Sequence, residues 1–98
     1  MGSSLKSAQF LIESRLRDAA TGNSDACYDL GIVFSTGSNG VGIDLIEAHK
    51  WFNLAAVAGH HEAQYCRAEI ADDMTARDIA EAQRQARALL NQSMHRAA

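Results

Sequence analysis

The stretch "DACYDLGIVFSTGSNGVGIDLIEAHKWFNLAAVAGHHEAQY", residues 25–65, holds the only tryptophan, both tyrosines and three of the four histidines. Two readings compete for it: a catalytic or metal site, or a packing pattern between helices. Its punctuation supports packing. Gly37 and Gly59 break the stretch, and Asp44 stands as an N-cap with Glu47 in the capping-box position three residues on. Leu45, Ala48, Phe52, Ala55 and Ala56 then recur at helical spacing, flanked by Trp51.

The same pattern extends outward. Upstream, residues 4–20 read as a helix with Leu5, Ala8, Ile12, Leu16 and Ala19 on one stripe. "TGNS" at 21–24 ends it, with Gly22 supplying a left-handed turn and Ser24 expected as the next N-cap. A second helix, 25–36, aligns Ala26, Leu30, Val33 and Phe34 on one side. Downstream of the tryptophan helix, "HHEAQYCRAEIADD" (60–73) makes a fourth. "DDMTARDI" (72–79) starts a fifth, with Thr75 and Asp78 as a capping-box variant and Met74 and Ile79 in the staple positions. That helix carries Ile79, Ala82, Ala86, Leu89, Leu90 and Met94. There is no proline in the 98 residues, and alanine, the best helix former, supplies much of the apolar content. An all-α chain of about five helices is expected.

Composition limits the function. With 47% apolar and 21% charged residues the chain is too apolar to be disordered. A net charge of −3 and the absence of a basic block argue against a nucleic-acid partner. Arg77, Arg84 and Arg87 alternate with Asp78 and Glu81, as on a solvated helix face. The apolar run "FLI" (10–12) is too short for a membrane span or leader core, so no membrane partner and a cytoplasmic location are expected. Cys27 and Cys66 form no CxxC and sit within helical patterns, where free, reduced, buried thiols are expected.

An internal repeat changes the fold expected. "AATGNSDACYDLG" (19–31) aligns with "AAVAGHHEAQYCRA" (55–68), pairing Gly22 with Gly59, Ala26 with Ala63 and Tyr28 with Tyr65, each 37 residues apart. Helix pairs recurring at such a period, with small residues at fixed places, suit a stacked solenoid. In detail the stretch shows A-x-Y-x-LG, G-x-x-GV and D-x-x-x-A-x-x-WF-x-x-AA-x-x-G, followed by A-x-Y. It resembles the Sel1-like repeat, a relative of the tetratricopeptide repeat.

The resemblance implies a single domain spanning 1–98, a short α-solenoid of stacked antiparallel helix pairs. Residues 5–20 resemble the second helix of a preceding unit, 25–59 a full unit, and 60–94 a degenerate unit in which Arg67 and Ala68 replace the Leu-Gly pair. Gly42 stands where the family often has proline. The resemblance also implies a non-enzymatic protein–protein interaction module or adaptor. Trp51 and Phe52 then pack a helix pair, while Ala55 and Ala56 permit close approach. The first helix of each pair lines a concave side, which places Asp25, Tyr28 and Ile32 there with their counterparts Glu62, Tyr65 and Glu69. That acidic and aromatic set would receive a basic or aromatic segment of another protein, unless Tyr28 and Tyr65 pack between units and leave only the carboxylates free.

Sharper chemistry is weaker. His60, His61 and Cys66, with His49 or Cys27 added, lack the local ligand pairs that zinc uses, so neither metal nor cofactor is expected. A Cys66–His61 or Cys66–His49 pair would make a small hydrolase, but no oxyanion loop accompanies it. Cysteine-rich secreted relatives linked to enzymatic activity carry a disulfide in each repeat, which two isolated cysteines do not reproduce. "GSNGVG" (37–42) follows a helix and precedes Ile43-Asp44, so it is no phosphate loop; Val41 is expected to tuck into the core. A homo-oligomer whose stack continues across chains is the remaining alternative, since two units expose apolar ends.

Overall fold

Glycine and short polar side chains cut the chain where the pattern requires. In the computed structural model the backbone of residues 2–97 is described, with the side chains of 10–38 and 40–92. Five helices follow in order: α1 (Gly2–Ala20), α2 (Ser24–Thr36), α3 (Leu45–Val57), α4 (His61–Ala71) and α5 (Ala76–Ala97). A single 3-10 turn, Ser38–Gly40, lies between α2 and α3, and no strand occurs among the described residues. Leu5, Ala8 and Met94, expected on the apolar stripes, lie outside the described side chains.

Each helix start has a local cause. Asn23, not Ser24, caps α2: its side-chain oxygen accepts from the Ala26 N–H at 3.1 Å, and Ser24 is already helical. Both residue types cap well, and the turn at Gly22 brings the asparagine to the position from which its oxygen reaches that amide. Asp44 caps α3 by accepting from the Glu47 N–H at 3.1 Å. The Glu47 carboxylate does not return to close the box. It takes hydrogen bonds from Lys50 Nζ at 2.7 Å and Trp51 Nε1 at 3.1 Å, while the Asp44 N–H donates to the Phe34 carbonyl at 2.8 Å. Before α5 the box is reciprocal, Asp78 N–H to Thr75 Oγ1 at 3.1 Å and Thr75 N–H to Asp78 Oδ2 at 3.3 Å.

α2 ends in a left-handed glycine. Gly37 has φ of 73° and its N–H donates to the Val33 carbonyl at 2.9 Å, which satisfies a last-turn carbonyl. The chain then loops back through residues 38–44. Val41 does not tuck into the core: it is 37% exposed, and Ile43 is more exposed still. The loop is secured by the backbone bond between Asp44 and Phe34, so it needs no apolar plug.

α3 is the hub. It packs most extensively on α2, and α4 and α5 each pack on it, whereas α1 rests on α2. The second pair differs from the first, because α4 and α5 make few contacts of their own. Leu30, Ala48, Phe52, Ala55 and Ala63 are sealed in the core, with Cys27 and Trp51 nearly so. Ala82 and Ala86 are the fully buried residues among the described side chains of α5. His49 is also buried, its Nδ1 without a hydrogen-bond partner. The molecule measures 40 × 36 × 22 Å, and the short dimension is that of about two helix diameters.

Candidate functional site

The α2 and α4 backbones keep their distance, and side chains bridge them. Tyr28 of α2 reaches across with its ring stacked on His60, centroids 4.1 Å apart and planes inclined by 14°. The ring also leans on Phe52, with centroids 5.7 Å apart. Its hydroxyl lies 3.8 Å from Cys66 Sγ and donates a long bond to Glu62 Oε2 at 3.5 Å. His60, the residue before α4, points Nε2 at Asp25 Oδ1, 3.6 Å away. Thus Asp25, Tyr28 and Glu62 form one cluster, through His60 and Cys66.

The other expected positions lie around it. Ile32 is half-buried against the core, so little of it faces a partner. Glu62, Tyr65 and Glu69 recur at i, i+3 and i+7 on α4 and therefore share one helix face. All three are exposed, Tyr65 at 77%. The tyrosines thus differ although the sequence repeats them. Tyr28 is a bridge between α2 and α4, and Tyr65 stands free.

The chemistry of the cluster is conservative. Its bond with Cys66, then burial, then the charges of Cys66 and Glu62 push the Tyr28 phenol up to about 12. It therefore stays protonated and acts as a donor. Burial pushes the Cys27 thiol up to about 11, which leaves no thiolate to attack or to bind a soft metal. The side-chain partner of the Cys66 thiol is the Tyr28 hydroxyl, not an imidazole, and His61 is exposed. Among the described residues no group of three or more His, Cys, Asp or Glu side chains is placed to hold a metal ion. None of their helices is long and apolar enough to cross a membrane.

A second feature lies on the opposite side of α3. A cavity of about 380 Å³ opens between α1, α3 and α5, with Cys27 and Trp51 in its wall. The sequence reading missed it. Ala19, Ala20, Gly22 and Ala58 line it, and small residues that suggest close approach here leave room instead. Comparison with known proteins finds no matching family model, no matching curated protein and no matching solved structure.

Proposed function

We propose that this chain is a non-enzymatic protein–protein interaction module of the Sel1-like type, which holds a basic or aromatic segment of another protein on the α2/α4 face. One observation carries the reading: Tyr65, 77% exposed, stands between the exposed carboxylates Glu62 and Glu69 on a single helix face. An aromatic side chain left in water beside uncompensated negative charge is the pattern of an interface anchor with its steering charges. Asp25, whose side chain is 87% exposed, extends the acidic surface to α2. The Tyr28–His60 stack sets the distance between the two helices and so the width of the surface.

The hydrolase alternative gains nothing from the cluster, since the Cys66 thiol has the Tyr28 hydroxyl as its side-chain partner and His61 is exposed. Two free cysteines suit a reducing compartment, and a cytoplasmic location belongs to the same proposal. The exposed Phe10 and Leu11 of α1 favour self-association as a second reading, which sedimentation across a concentration series tests.

The principal test is selection of peptides on the immobilised chain from a displayed library. Basic or aromatic peptides should be enriched. Tyr65→Ala and Glu69→Lys should each weaken the selected peptides about tenfold or more, the scale of a lost anchor. Arg84→Ala, on α5, should leave them unchanged.

A further inference from the structure

We infer that the cavity between α1, α3 and α5 is a binding site for a small, uncharged, apolar molecule. Three observations lead there, independent of the α2/α4 face. Size comes first. At about 380 Å³ the cavity falls within the range of small-molecule pockets, roughly 300–1,000 Å³.

Charge comes second. Lys50 is the one charged side chain among the described lining residues, and it is already matched. Its ammonium lies 2.7 Å from Glu47 Oε1 and 5.1 Å from the centre of the Trp51 ring. An anionic ligand would lie beside the Glu47 carboxylate that already neutralises Lys50, and whose other oxygen is held by Trp51 Nε1. A cationic ligand would meet Lys50 itself. The thiol of Cys27, with its pKa raised by burial, adds no charge. A neutral ligand meets no such cost, and the Gln92 amide is the one uncharged polar amide among the described lining residues.

The third observation is the wall. Trp51, Leu54 and Leu89 provide flat and branched apolar surface on helices that pack against each other, so the site exists before a ligand arrives. Water in such a space finds few polar partners and is readily displaced by an apolar group.

Trp51 is the only tryptophan, which makes it a built-in reporter. Phenylnaphthylamine, an uncharged fluorophore, should bind saturably at one molecule per chain, with Trp51 emission falling as probe emission rises. Decanol should displace it at least about tenfold more effectively than decanoate, which carries the charge the cavity cannot match. Ala58→Phe fills the cavity from the exposed end of α3 and should weaken the probe about tenfold with the melting midpoint unchanged. Ala20→Leu does so from the exposed side of α1, should Ala58→Phe disturb folding. Absence of saturable binding overturns the inference, as does binding indifferent to both variants or equal displacement by decanoate. If the probe is instead expelled as the chain dimerises on concentration, the cavity is an interface for a second copy and the inference is wrong.

Discussion

Phe52 of α3 lies so close to α2 that a β-carbon at Gly31 would overlap the Phe52 ring. The neighbouring Leu30 is completely buried, so the Leu-Gly pair supplies one side chain to the core and one gap for it to close. Gly31→Ala should therefore destabilise, although alanine normally gains up to about 1 kcal/mol over glycine in a helix. Overpacking costs about 1–3 kcal/mol, which leaves a net loss. Adding Phe52→Leu to Gly31→Ala should cost less than the two separate losses combined, and denaturant unfolding of the three variants measures the coupling.

Trp51 is buried and fills the junction of α3 with the cavity wall, while its indole N–H is held by Glu47. Trp51→Ala should cost about 3–5 kcal/mol, close to the whole stability of so small a domain. Trp51→Phe keeps most of the apolar contact and loses the hydrogen bond to Glu47. It should cost much less, and a thermal melt separates the two.

Burial first, and then the positive charge of Arg67, hold the His49 imidazole below its usual pKa. The unfolded chain takes up that proton near pH 6.5, whereas the folded one resists it. Stability should thus be fully present above about pH 6.5 and fall as the pH drops through the window down to the folded pKa. His49→Leu removes both this acid-side loss and the unpaired buried Nδ1. The difference in denaturation midpoint between pH 8 and pH 5 should be smaller in His49→Leu than in the original chain. Glu81, held down to about 2 chiefly by its hydrogen bond from Arg84, titrates in a lower window and does not interfere.

The reciprocal box before α5 predicts a milder effect. Thr75→Ala should cost about 1 kcal/mol, since it removes the oxygen that accepts from the Asp78 amide. Thr75→Ser retains that oxygen and should restore most of the loss in the same melt.

Local chemistry was legible in the sequence, and three-dimensional closure was not. The breaks at Gly22, Gly37 and Gly59 and the caps at Asp44 and Thr75 could be read because each depends on residues three or four apart. The burial of Phe52 followed from helical period, and that of Trp51 from the repeat resemblance. His49 looked like a candidate ligand, yet it faces inward because its helix is surrounded by α2, α4 and α5. The Glu47 bonds to Lys50 and Trp51 carried a readable signal, the i, i+3 and i, i+4 spacing. The cavity carried none: alanines at Ala20 and Ala58 look the same whether a neighbour closes on them or stops short. Of the six expected surface positions, the split between bridging Tyr28 and free Tyr65 depends on how α4 sits against α2, which no local pattern encodes.

The central claim is that partners are held on the α2/α4 face, and amide chemical-shift mapping with a selected peptide tests it most directly. The account predicts shifts concentrated at Asp25, Tyr28, Glu62, Tyr65 and Glu69, shrinking as salt screens the carboxylates. Shifts centred on Arg84 and its neighbours in α5, with Tyr65 and Glu69 unmoved, would contradict it.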